Sequence, residues 1–259
     1  MYGSWVLFLL ILISSLPVVA VYIWFRIVKF KFSLIWFLSA LLAGAAAFFP
    51  ALVFQEFLLS VIIKQSRIAL LFEYFIRVAF TEEISRLLLL LVLFWINSIF
   101  SGGNLNEQRC RIISDSNSNP ESKLTEDFAD VTANNTGKKI KRALTFNTVK
   151  KGTAAGLIAG FGFSILESAR YAASGLDINI ALLRIFTAAL HGACGSRVGA
   201  AAVMIRTNPF QAFFRIIIAV AIHGVYNFMV TVPGLPSIAA FIIAASAFTT
   251  VILSLRGAK

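Results

Sequence analysis

The chain has 259 residues, is 59% hydrophobic and only 14% charged, and carries a formal net charge of +11. A soluble domain of this length is about a quarter charged, and one soluble core could not hold this surplus of apolar side chains. The positive charge sits mainly in short connectors between apolar runs, as the positive-inside rule requires, and no nucleic-acid-binding motif accompanies it.

A helix needs about 20 apolar residues to cross the hydrocarbon layer. The first such run is 4–25, retained as a membrane span, followed by the basic connector Arg26–Lys31. A second run covers 33–53, with Pro50 near its end. Residues 56–80 mix Glu56, Lys64, Arg67, Glu73 and Arg77 into apolar sequence, which predicts an interfacial or re-entrant helix. A third span runs from 81 to 99. Residues 101–152 form the only long polar stretch, basic at its end and poor in large apolar residues, and read as a mobile linker. Four further spans follow at 153–173, 178–205, 209–230 and 237–255, separated by connectors that carry Pro, Asn and Gly breakers. The expectation is a single all-α membrane domain over 1–259, a polytopic transmembrane helical bundle of about seven spans plus the interfacial helix. Charge asymmetry places the N-terminus outside and 101–152 in the cytoplasm. The two cysteines, Cys110 and Cys194, imply no disulfide framework or paired-cysteine metal site, and Cys194 reads as a packing residue.

Ionisable groups inside a span cost roughly 2.5–3.5 kcal/mol each on insertion scales, so they mark functional sites first. Glu82, Glu83 and Arg86 open the third span on one helical face. A carboxylate pair can supply a general base; the structural alternative is a helix-start ion pair. Glu167 lies in the apolar run after Gly160, Gly162 and Phe163, where the glycines allow a close helix approach, and the bland alternative pairs it with Arg170. Arg184 and His191 are seven residues apart and share a face among small residues. His223 and Asn227 are four apart and can together donate to a developing oxyanion, or can form an interhelical polar pair. These are the chain's only two histidines, and both fall in apolar spans. Such carboxylates and imidazoles suit water activation, either directly or through a divalent metal such as zinc held by His and Glu with one position open. The His-Glu-x-x-His signature is absent.

The ordered set Glu82-Glu83-x-x-Arg86, Gly-Phe-Gly-Phe-Ser-x-x-Glu167, Arg184-x6-His191 and His223-Gly-x-Tyr-Asn227 resembles the PrsW family of intramembrane proteases, which is related to CAAX prenyl endopeptidases and bacteriocin-processing enzymes. Arg86 departs from the commoner Lys of that pattern but keeps the positive charge. The resemblance implies an intramembrane endopeptidase acting on membrane-associated proteins, with a site-1-type cut on the outer face of a bacterial inner membrane. It carries Glu82, Glu83 and His191 over as catalytic or ligand residues, with Glu167, His223 and Asn227 completing the site and Arg86 and Arg184 in support. Metal and glutamate-only mechanisms both stay open. Two other classes compete: a proton-coupled transporter, which would need broken helices and a paired repeat, and a non-catalytic membrane scaffold.

Overall fold

The computed structural model describes residues 3–58, 67–97, 126–173, 178–232, 234–235 and 237–256, and the side chains of 3–7, 9, 10, 67, 126–147, 172, 178–185 and 237 lie outside that description. Among the described residues the regular structure is entirely helical. Helix α1 is Gly3–Ile27 and α2 is Leu34–Phe57. Helix α3, Arg67–Phe72, passes into a π-helical stretch, Glu73–Phe80, and then directly into α4, residues 81–97. Helices α5 (Glu126–Ala173), α6 (Ile178–Met204), α7 (Pro209–Thr231) and α8 (Ser237–Arg256) complete the bundle.

The apolar runs set these limits, and local chemistry sharpens them. Ser33 caps α2 by accepting a hydrogen bond from the Trp36 backbone N–H at 3.3 Å. Asn208 does the same for α7 through Gln211, with Pro209 in the first turn where no backbone donor is needed. Between α7 and α8, Gly234 takes a φ of 83°, a left-handed conformation open to glycine.

Among the described residues four helices are long and apolar enough to cross a membrane, Leu34–Phe57, Thr148–Tyr171, Pro209–Thr231 and Ile238–Arg256, with the shorter apolar segment Ile11–Ile27 beside them. Phe8, Leu16, Leu42, Phe49, Phe210 and Ile242 point outward, exposing far more apolar surface than a soluble monomer carries. The central helix is α5. In the most apolar 18 residues of its Thr148–Tyr171 segment 78% are buried, against 33% or less in the same length of the other three.

Two expectations change in detail. The segment 67–80 is the beginning of the helix that becomes α4, because no Pro or Gly interrupts the run. Helix α5 begins at Glu126, so the second half of the polar stretch read as a linker is helical, while 101–125 lies outside the described residues.

Small residues bring α5 and α6 into backbone contact. A Cβ on Gly160 would stand 2.0 Å from the carbonyl oxygen of His191, and one on Gly156 2.0 Å from that of Gly195. In lipid, where apolar burial gives little drive to helix association, such close approach is a main source of packing energy. Gly160→Ala is therefore expected to push α6 away, destabilise the protein by about 1–3 kcal/mol, and reduce activity by displacing His191. Thermal unfolding in detergent, run beside a cleavage assay, checks both.

Candidate active site

Four helices deliver the site. Helix α4 opens with Glu82, Glu83 and Arg86; α5 supplies Phe163 and Glu167, α6 His191 and α7 His223. Arg86, Glu83 and His191 are fully buried, and His223 and Glu82 keep only 1% and 4% of their exposure. The expected clusters converge.

Arg86 is the organising cation. Its Nη2 lies 2.7 Å from Glu83 Oε1 and 3.5 Å from Glu82 Oε2. Its Nη1 donates to the His191 carbonyl at 3.3 Å and its Nε to the Glu82 carbonyl at 3.3 Å. The guanidinium carbon also sits 4.6 Å from the centre of the Phe163 ring. One side chain thus ties α4 to α5 and α6.

Each imidazole has a carboxylate at its back. His191 Nε2 is 2.8 Å from Glu167 Oε2, and His223 Nδ1 is 2.7 Å from Glu83 Oε1. A neutral imidazole in such a bond places its N–H toward the carboxylate. The remaining nitrogens, His191 Nδ1 and His223 Nε2, then present lone pairs, and both face Glu82 Oε2, at 4.0 and 3.7 Å. Glu82 Oε2 and His191 Nδ1 have no hydrogen-bond partner. Glu82, His191 and His223 thus offer three ligand atoms within 4.8 Å of one another. The rings cross edge to face, with centroids 5.0 Å apart.

This geometry fits a divalent ion. A His-His-Glu donor set suits zinc, and a histidine held from behind by a carboxylate is the usual outer shell of a metal ligand. Charge points the same way. Glu82 and Glu83 share one guanidinium, and ionised groups inside protein need compensation.

The site is reached through a cleft of about 630 Å³, whose walls include Gln55, Glu82, Phe163, Glu167, Tyr226 and Asn227. Asn227 lines the same cleft. The side chain of Arg184 lies outside the described residues. The bland pairing of Glu167 with Arg170 gives way to the Glu167–His191 contact. Cys194 is buried with its thiol 3.5 Å from the Ala219 carbonyl, in a packing position. Sequence reasoning missed Gln55, whose Nε2 donates to Glu82 Oε1 at 3.2 Å. Its signal was an uncharged polar side chain in the apolar run just past Pro50. It also missed the link between Thr187 and Tyr226, whose hydroxyls are 3.2 Å apart in the cleft wall.

A helical bundle with a lipid-facing apolar surface, enclosing carboxylates, imidazoles and a guanidinium around one point at the end of a cleft, is the plan of a membrane-embedded hydrolase. The family model of the PrsW family intramembrane metalloproteases matches residues 33–254, from the cap of α2 almost to the end of α8, and the chain belongs to that family. It is a peptidase, which sets aside the transporter and scaffold alternatives. Neither curated proteins nor solved structures gave a match.

Proposed function

We propose that the chain is an intramembrane endopeptidase that cuts membrane-associated protein substrates in the cleft beside Glu82, with Glu82, His191 and His223 as ligands of a divalent ion. The observation that carries this reading is the meeting of three buried ligand atoms on Glu82, His191 and His223 within 4.8 Å of one another, with Glu82 Oε2 and His191 Nδ1 lacking a hydrogen-bond partner. Such an ion, when bound, makes a water molecule acidic enough to attack at neutral pH and polarises the peptide carbonyl.

The protein's own groups do the rest. Glu83 and Glu167 fix the tautomers of His223 and His191 and hold both rings in place. Glu167 reaches the cleft wall, where it can accept the proton of the attacking water and pass it to the leaving amine. Arg86 supplies the counter-charge to Glu82 and Glu83. Asn227 stands in the same wall, placed to donate to the developing oxyanion. His223 Nδ1 is held by Glu83 and its Nε2 would be taken by the ion, so the oxyanion role falls to Asn227 alone.

Charge asymmetry supports a topology. Arg26, Lys29, Lys31, Lys151 and Arg206 flank the helix ends opposite the cleft, whereas the two arginines of the cleft wall, Arg77 and Arg170, stand among Glu73, Glu82 and Glu167. The positive-inside rule then turns the cleft outward, in a seven-span arrangement with the N-terminus outside. A site-1-type cut at the outer face of a bacterial inner membrane follows. The test is purified Glu82→Gln in liposomes with a membrane-anchored reporter. Cleavage is expected to fall at least about a hundredfold with insertion unchanged, a minimum set by the loss of a carboxylate that acts in the reaction. Undiminished cleavage would remove Glu82 from the site.

A further inference from the structure

A second cleft, of about 310 Å³, lies at the other end of the bundle. Its walls come from the α1–α2 connector, the end of α4, and the facing parts of α5 and α6. Lys31 and Lys151 stand at its mouth with Asn97 and Thr148, and Trp36 and Phe94 form its apolar side. That side is preformed: Phe25, Phe32, Trp36 and Phe94 touch in sequence, with ring centroids 5.9, 6.4 and 6.0 Å apart. Lys29, in the turn leading to the cleft, holds a φ of 54°, a left-handed conformation uncommon for a residue with a side chain.

The surroundings are basic. Arg26, Lys29 and Lys31 follow α1, Lys151 lies on α5, and Arg206 follows α6. Arg256 ends α8, which is tied to α6 at this end by the Arg197–Thr250 hydrogen bond of 3.0 Å. The carboxylates with described side chains, Glu56, Glu73, Glu82, Glu83 and Glu167, all lie on segments nearer the other end or in the catalytic site. A cleft with an apolar aromatic wall and two lysines, set at the end of a membrane bundle, suits a ligand that is anionic at one end and apolar at the other.

We propose that this cleft is a binding site for an anionic glycerophospholipid, its phosphodiester held between Lys31 and Lys151 and its glycerol and upper acyl chain lying on Trp36 and Phe94. Basic pockets between membrane helices bind anionic head groups by the same combination of charge and apolar contact. The site shares no lining residue with the catalytic cleft.

The test uses the full chain in nanodiscs of phosphatidylcholine with stepped amounts of phosphatidylglycerol, and counts lipids retained on the protein by native mass spectrometry. Phosphatidylglycerol is expected to be retained over phosphatidylcholine by about thirtyfold, the order that two surface lysines supply. The double variant Lys31→Gln with Lys151→Gln should bring this preference close to one. Arg206→Gln with Arg256→Gln removes the same charge from the same rim without touching the cleft, and should keep the preference. Inorganic phosphate at millimolar concentration should leave retention unchanged. Equal loss in both double variants would mean diffuse attraction, and displacement by phosphate would mean a free-anion site; either overturns the proposal.

Discussion

His191→Ala and His223→Ala should each leave a folded protein with metal content at background and no measurable cleavage. Both imidazoles present a ring nitrogen toward Glu82, so losing either leaves two donors, too few for a firmly held ion. Neither variant strips the bundle of its main cation, since Arg86 still holds Glu83 and reaches the backbone carbonyl of residue 191. Helicity and insertion should therefore persist. Glu167→Gln is the graded companion: it keeps the shape and a hydrogen-bond partner for His191 but removes the charge behind the ring, and should weaken metal binding by about 10–100-fold. Elemental analysis of purified protein, a chelation series and a cleavage assay on the same samples decide the matter. Full activity in metal-free wild-type protein would refute the ligand assignment and return the chemistry to the carboxylates acting alone.

That result bears on what could be read from the chain. Helix limits were legible because apolar runs are long, and their ends carry caps and breakers such as Ser33 and Asn208-Pro209, but only four of the seven expected spans are long and apolar enough among the described residues. The site residues were legible because an ionisable side chain in an apolar span is costly and therefore rare. Their pairing was not. Spacing along a helix reveals neighbours on that helix, so it joined His223 to Asn227 and left Glu167 beside Arg170. The contacts that matter run between helices: Glu83 meets His223 across 140 positions, and Glu167 meets His191 across 24. Packing decides those, through glycines whose importance shows only once the facing backbone is known. Gln55 was passed over because Pro50 suggested an early end to the helix, whereas α2 accommodates the proline and runs on to Phe57. The π-helical stretch before Glu82 left no mark in composition. A wide turn there changes which face of the helix the following residues occupy, and such turns gather at functional sites.

The largest effect on stability is expected at Arg86. Replacing it with methionine keeps the bulk against Phe163 but leaves Glu83 buried without its guanidinium, and breaking a buried pair from one side costs about 3–5 kcal/mol. Unfolding titrations in mixed detergent micelles should show that loss. The double variant Arg86→Met with Glu83→Gln removes the stranded charge together with its partner and should regain at least about half of it, since removing both charges of a buried pair is often close to neutral. Cleavage should stay lost, because glutamine holds the His223 ring less firmly. Arg86→Lys should fall between, supplying charge to Glu83 without the planar fork that also reaches the carbonyls of Glu82 and His191. If Arg86→Met unfolds within about 1 kcal/mol of wild type, the range of an exposed ion pair, then Glu83 does not depend on it. If stability returns in the double variant and activity does not, the two roles separate: Arg86 holds the helices and their charges in place, and Glu83 holds the His223 imidazole proposed as a ligand.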